Sequence, residues 1–507
     1  MLSKIIEELI EYAKIHLHLN EFDVIFMRNF LLHEFNLNEP YDGIIDKAYI
    51  ESLSTPTSLI NELKGEVEGI SDNDIERIMS ILSPRPSEVI RKFMILKRDS
   101  PKKACDYFYD LMIKNNYIKK DYINKNIIWD YENNNRKLEI TINLSKPEKD
   151  NKDIAREKDL VEVDYPKCML CDTNEGYYGS SRIQPRSNIR VIPMKLGGEN
   201  WFMQYSPYAY YNEHCIVIDK IHRPMVVDKA SIIKQIDFVD ELPNYFIGSN
   251  SDLPIVGGSM LTHHHFQGGD HTMPMMHSRN RYNLSDKKYK DVEISYLDWF
   301  NSCILLKSKN KNSLINLADE ILETYKNYSD ESINLIANDE DGRHNTITTI
   351  TRKVGKEYNL YLILRNNRCD EKRPDGIFHA QKEYHNIKKE GIGLIEAMGL
   401  FILPGRLKYE LDLIADILSN STYPVSDIIE NNECLIKHRD FINKLLVKYR
   451  RHNKKEVAVE LIKLEVGMVC EEILKNTGIF KDTIDGQLAL MRFFKKLNLE
   501  VLFNEQS

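Results

Sequence analysis

The sequence predicts an α+β protein, with a mixed, largely antiparallel sheet in the middle of the chain and helical regions at both ends. Three observations lead there. Apolar residues recur at three- and four-residue spacing near both termini. Short β-rich segments crowd the stretch from about 155 to 405. Several of these follow one another with no helical pattern between them, which leaves no crossover for parallel pairing. With 507 residues, 42% of them hydrophobic, the chain is long enough to bury a sizeable core.

Taken in order, helical periodicity covers SKIIEELIEYAKIHLHL near the start, then DNDIERIMSILS and CDYFYDLMIKNNYI, with SPRPS as punctuation. RKLEITINL alternates as a strand. The charged run SKPEKDNKDIAREKD after it reads as an exposed linker, so a boundary falls near residue 150. IRVIP, WFMQYSP, EHCIVID, LPIVGGSML, EISYLDWF, ITTITRKV and YNLYLILR follow as strands, with helices at KASIIKQIDFVDEL and SLINLADEILETYKNY. Past LPGRL, the segments YELDLIADILSN, DFINKLLVKYRRH and EVAVELIKLEVGMVCEEILK return to helical spacing. The expected organisation is a helical N-terminal region (1–150), a β-rich core (151–405) and a helical C-terminal region (406–507).

Composition excludes several classes. A formal net charge of -8, with 29% charged residues, gives a surface field that repels phosphate backbones, which argues against a general nucleic-acid binder. No run of about 18 apolar residues predicts a membrane span. The opening MLSKIIEELIEYAKIHLHLNEF interrupts its apolar residues with Glu, Lys and His, unlike a signal peptide. Eight cysteines are too sparse for a disulfide framework, so a reducing cytoplasm is the expected location.

GGSMLTHHHFQGGD, Gly257 to Asp270, sets three consecutive histidines between two glycine pairs. If the extended geometry of LPIVGGSML continues, His263 and His265 share a face with Gln267 while His264 points away. Gly257 and Gly258, with Ser259 beside them, let backbone approach a ligand and offer N–H groups to phosphate oxygens. Periodicity leaves both a metal site and a histidine nucleophile open, and for His264 an ordinary structural histidine is the simplest reading. YPKCMLCDTNEGY adds Cys168 and Cys171, whose thiolates suit a tetrahedral zinc site. A lone C-x-x-C fits a redox pair or two free thiols equally well. Further ligands would come from His214, His222 or the run itself.

Together, YPKCMLCDTNEGYYG, SPYAYYNEHCIVIDKIHRPM, FVDELPNYFIGSNSDLPIVGGSMLTHHHFQGG, HNTITTITRK and GIFHAQKEYHNIKKEGIGLIEAMGLFILPGRL resemble the second class of UDP-glucose:hexose-1-phosphate uridylyltransferases. These are the galactose-1-phosphate uridylyltransferases of mainly Gram-positive bacteria. The H-x-H-x-Q core that the first class and the wider histidine-triad superfamily share stands here as His263, His265 and Gln267. The resemblance implies a sheet core of histidine-triad type and a double displacement in galactose catabolism. UMP would pass from UDP-glucose to galactose 1-phosphate through a uridylylated His265. A neutral imidazole suits that role because it attacks without a separate base. The His263 carbonyl would hold its other nitrogen, and Gln267 would donate to a phosphoryl oxygen.

The resemblance also implies a structural metal, zinc by donor type, on Cys168, Cys171, His222 and His263, with His214 as a competing ligand and no organic cofactor. Nucleotide and phosphate contacts would fall to Arg182, Arg186 and Arg190. Lys389 and Glu396 match, with spacing off by one, a lysine and a glutamate that hold the second phosphate and the hexose. His379 and His385 lie in another segment typical of the family, and a homodimer is the implied assembly. His264 departs from the pattern, since the second class usually carries an acidic residue there and the first a proline. Two other readings stay open: a dinucleoside polyphosphate phosphorylase or hydrolase of the superfamily, where a third histidine would usually replace Gln267, and a catalytically silent metal- or sugar-phosphate-binding regulator, which has no use for an intact H-x-H-x-Q.

Overall fold

The computed structural model describes residues 1–145, 165–180, 183, 185–258, 260–419, 424–451 and 454–502. The predicted linker beyond Ser145 lies outside them. Strands β1 (Ile127–Asn133) and β2 (Arg136–Asn143) form a hairpin. Its two turn residues, Asn134 and Asn135, sit at φ 51° and 61°, the left-handed pair that a tight antiparallel turn needs. β3 (Ile192–Leu196), β4 (Glu199–Tyr205) and β5 (Cys215–Asp219) follow, then β6 (Phe246–Ser249) and β7 (His265–Gly269). Next come β8 (Asn280–Ser285), β9 (Glu293–Leu297) and β10 (Cys303–Ser308), and a short ribbon of β11 (Asn338–Asp339) and β12 (Gly342–Arg343). The last four are β13 (Asn345–Val354), β14 (Glu357–Asn366), β15 (Leu400–Pro404) and β16 (Glu500–Leu502).

Eleven of these make one sheet in the order β16-β8-β9-β10-β14-β13-β6-β7-β5-β4-β3, and every neighbouring pair in it is antiparallel. The fold is thus α+β, as the sequence predicts. The parallel component is confined to the small sheet β1-β2-β15, where β15 runs alongside β2. One expected strand is different. LPIVGGSML does not extend: Pro254 opens a turn closed by the Val256 N–H on the Pro254 carbonyl, Ile255 takes φ 71°, and regular pairing begins only at His265.

The large sheet is covered on both faces. Phe266, Val217, Met203 and Trp201 turn to one face, in a core shared with the helices Leu2–His16, Asp72–Leu82, Pro101–Lys114, Lys229–Glu241, Lys311–Lys326 and Ile484–Lys496. Two of those helices start on capping boxes, Ser71 with Asp74 and Asp228 with Ser231, which satisfy N–H groups that have no partner within the helix. Phe266 stacks on Trp201 with ring centroids 4.9 Å apart. Burial of a Phe side chain on this scale contributes about 1.5–3 kcal/mol. Phe246, Ile350, Tyr361 and Ile363 face the other way, into a second core with the small sheet and the C-terminal helices. There Tyr131 donates its hydroxyl to Glu471 of the helix Lys455–Thr477 at 2.9 Å. β16 then returns the chain to the edge of the large sheet beside β8. All eight cysteines are free. Among the described residues no helix is long and apolar enough to cross a membrane.

Candidate active site

Strand β7 lies between β5 and β6, in the interior of the sheet. In its register Ile218 faces His265, Ile216 faces Gln267, and Gly248 faces Gln267 from the other side. Alternation therefore puts His265 and Gln267 on the same face, and Phe266 on the opposite one. The His265 ring is buried. Its Nδ1–H donates to the His263 carbonyl at 2.8 Å, and Nε2 has no hydrogen bond among the described residues. Burial pushes the ring down to about 4, opposed in part by the bond to the His263 carbonyl, so the imidazole is neutral at physiological pH. A neutral ring with one nitrogen tied down and the other bare is the state a nitrogen nucleophile requires.

His263 serves a second function with its side chain. Its Nε2–H donates to the Asp219 carbonyl at 2.9 Å, leaving Nδ1 bare and 3.3 Å from Cys168 Sγ. Cys171 Sγ lies 3.7 Å from the Cys168 sulfur and 3.4 Å from His222 Nδ1. The four donor atoms lie within 4.8 Å of one another. Two sulfurs bound to one tetrahedral zinc sit about 3.8 Å apart, so the quartet fits such an ion without rearrangement. The Cys168 S–H leans on the Cys171 sulfur and, with the imidazoles of His263 and His222, favours thiolate at Cys171 while Cys168 is pushed up. The turn that carries His222 is tied by Arg223, whose Nε donates to Asp219 at 2.5 Å. The sequence-predicted ligands are thereby brought together, and His214 is elsewhere.

His214 stands directly before β5 and reaches Gln267 instead: its Nε2 lies 3.1 Å from Gln267 Oε1. His264 points to the opposite face, edge-on to Trp201 with centroids 5.1 Å apart, away from both the thiols and His265. Burial, with Lys234 nearby, pushes its ring down to about 4 as well.

The predicted substrate contacts are partly rearranged. Arg182 and Ser259 lie outside the described residues. Arg186 is half-buried beside Tyr117 and Glu76. Arg190 is corrected: its guanidinium is buried and donates to the carbonyls of Pro84, Ser80, Ile189 and Ser187, so it ties a helical loop to the sheet rather than offering itself to phosphate. Gly257 and Gly258 are needed for contacts within the chain. A Cβ on Gly257 would come within 2.5 Å of the Ser251 carbonyl, and one on Gly258 within 2.8 Å of Asn250. Lys389 is exposed, while its neighbour Lys388 is buried, with Nζ 3.0 Å from Glu396 Oε1. His379 accepts from the Ile392 N–H at 3.3 Å, and His385 bonds the Ala380 carbonyl at 3.2 Å, so both are held by backbone.

Arg365 was not anticipated. Register through Gly248, Ile350 and Tyr361 places it on the His265 face. It is buried, Nη2 donates to the Ile392 carbonyl at 2.8 Å, and Nε and Nη1 have no partner among the described residues. One signal was available: it is the charged residue at the end of the apolar run YNLYLILR.

With this geometry established, comparison with known proteins is specific. Residues 37–224 match the family described as galactose-1-phosphate uridyl transferase, N-terminal domain, and 238–428 match its C-terminal domain. The chain is 44% identical to the galactose-1-phosphate uridylyltransferase of Caldanaerobacter subterraneus subsp. tengcongensis, covering 97% of this chain and 98% of that one. It is 43% identical to the protein of that name from Clostridium acetobutylicum (94% and 96% covered) and 40% identical to that of Fusobacterium nucleatum (98% and 99% covered). The chain belongs to the galactose-1-phosphate uridylyltransferase family.

Proposed function

We propose that the protein transfers UMP between UDP-glucose and galactose 1-phosphate in galactose catabolism, as its relatives' names indicate, with His265 as the nucleophile. His265 Nε2 attacks the α-phosphorus of UDP-glucose. An N–P bond forms as the bond to glucose 1-phosphate breaks, and that sugar phosphate leaves with the bond's electrons. A phosphate oxygen of galactose 1-phosphate then attacks the same phosphorus and the N–P bond breaks, returning the bare ring. Covalent transfer divides one difficult step into two that use a single phosphate position. The observation that carries this reading is the 2.8 Å bond from His265 Nδ1–H to the His263 carbonyl, which leaves Nε2 as the available nitrogen.

Around that atom, Gln267 would donate its amide to a non-bridging phosphoryl oxygen. The Lys388–Glu396 pair and Arg365 are the charged groups available to the sugar phosphate, and Arg186 to the nucleotide. Cys168, Cys171, His222 and His263 would hold a structural zinc, which supplies rigidity and leaves no coordination position open for substrate. The long segments from YPKCMLCDTNEGYYG to GIFHAQKEYHNIKKEGIGLIEAMGLFILPGRL support placement in the second class of the family, and the H-x-H-x-Q order supports placement in the histidine-triad superfamily. In this reading residues 151–405 carry the chemistry, the regions 1–150 and 406–507 cover them, and the protein works in the cytoplasm as a homodimer.

Mass spectrometry of the protein mixed with UDP-glucose tests the reading. A uridylyl adduct should appear on His265 and vanish when galactose 1-phosphate is added. Turnover without an adduct, or an adduct on another residue, would refute it.

A further inference from the structure

We infer that His214 is a positioning residue for the transfer, acting through Gln267. This rests on the role proposed above for Gln267. A carboxamide beside a reacting phosphate is useful in one orientation only: the NH2 group must face the phosphoryl oxygens and the carbonyl oxygen must be held elsewhere. The structure supplies a holder. His214 Nε2 lies 3.1 Å from Gln267 Oε1. A carbonyl oxygen accepts and does not donate, so the ring proton sits on Nε2 and points at that oxygen, which turns the Gln267 NH2 away from His214.

The rest of the ring's surroundings fix it in this state. Burial pushes His214 down to about 4, so it carries a single proton, and among the described residues its buried Nδ1 has no partner that would draw the proton away from Nε2. Tyr210 stacks on the ring at a centroid distance of 5.4 Å, and Tyr211 lies 4.6 Å away. Tyr211 is itself anchored to strand β7 by its hydroxyl on the Gly268 carbonyl at 3.1 Å. The backbone just before His214 is held in the left-handed region, with Glu213 at φ 54° and its carboxylate accepting from the Tyr245 hydroxyl. A non-glycine residue keeps that conformation only where its surroundings over-determine it. Everything about this corner holds one imidazole still against one amide oxygen.

The test is the first half-reaction, read as glucose 1-phosphate release on mixing with UDP-glucose, in five variants. His214→Phe keeps the ring and loses the donor. It should slow the step about 10- to 100-fold at unchanged UDP-glucose affinity, because outright loss of a preorganised donor costs about 10²–10³-fold. His214→Gln places an amide N–H near the Nε2 position and should recover to within about threefold of the parent. His214→Asn, too short to reach, should stay slow; this pair keeps the test decisive if the Phe variant fails to fold. His214→Phe combined with Gln267→Ala should be no slower than Gln267→Ala alone, since both remove the same interaction. Additive losses in the double variant, or equal rates in the Gln and Asn variants, would overturn the inference. A full rate in Gln267→Ala would overturn the role of Gln267 along with it. A crippled Gln267→Ala beside an unimpaired His214→Phe would overturn the positioning alone.

Discussion

His264 and His265 are neighbours in sequence, both buried, and both pushed down to about 4 by that burial. Their electrostatics are alike, yet they sit on opposite faces of the sheet and meet different partners. His265 has Nδ1 bonded to a carbonyl and shares its face with Gln267, Gly248 and Arg365. His264 lies edge-on between Trp201 and Phe266, and its Nε2 is buried with no partner among the described residues. A perturbed histidine is therefore not by itself a site. One nitrogen has to be tied down, and the other has to face groups that can receive an anion.

The strongest way to break that comparison is His265→Ala. Loss of the nucleophile should reduce sugar-phosphate exchange by at least about 10⁴-fold, measured as UDP-galactose formed, with the melting temperature within a few degrees of the parent. Exchange at even a tenth of the parental rate would place the chemistry elsewhere. Gln267→Ala comes next, at about 10²–10³-fold in turnover. Its UDP-glucose affinity should be nearly unchanged, because the lost bond matters in the transition state and little in the ground state.

The sequence made some of this legible and hid the rest for physical reasons. Alternation separated His264 from His263 and His265 because strand period is local. It misjudged the approach, where Pro254 and the glycines fold LPIVGGSML back on Ser251 instead of extending it. The Cys/His quartet came from resemblance, since Cys168 and His263 are 95 positions apart and no spacing rule joins them. The contact of His214 with Gln267 depends on the β5–β7 register, which is set by packing across the sheet. Short β6 and the polar β8, NRYNLS, lack the apolar alternation that marks a strand. Lys388 and Lys389 are distinguishable only once the fold buries one and exposes the other.

Acid should remove stability from both faces of the sheet together. His214, His264, His265 and His379 are each pushed down by burial to about 4, against about 6.5 in the unfolded chain. The unfolded state then binds more protons than the native one between those values. Stability is complete above about pH 6.5 and falls as pH drops toward 4, by up to about 1.4 kcal/mol per pH unit for each histidine. Urea midpoints measured from pH 7.5 to 4.5 should decline across that window, and a flat profile would show that these rings keep their protons when folded. Removal of Cys171, proposed above to hold zinc, as Cys171→Ser, should act less. We expect loss of bound zinc by elemental analysis and a lower melting temperature, with exchange slowed less than about tenfold, because the quartet reaches His265 only through the His263 backbone. A loss as large as that of His265→Ala would make the metal a direct participant.

The smallest expected effect belongs to His264→Phe, and it sharpens the comparison most. A phenyl ring fills nearly the same space between Trp201 and Phe266, and it removes a buried nitrogen that has no partner among the described residues. Replacing an unsatisfied polar group by an apolar one of similar shape is close to neutral or stabilising. Stability at pH 7.5 should thus stay within about 1 kcal/mol of the parent and exchange within about twofold. One acid-sensitive ring is gone, however, so the urea midpoint should fall less steeply between pH 6.5 and 4 than in the parent. If exchange instead dropped by tenfold or more at unchanged stability, the Trp201 face would be coupled to catalysis and the division between the two faces of β7 would fail.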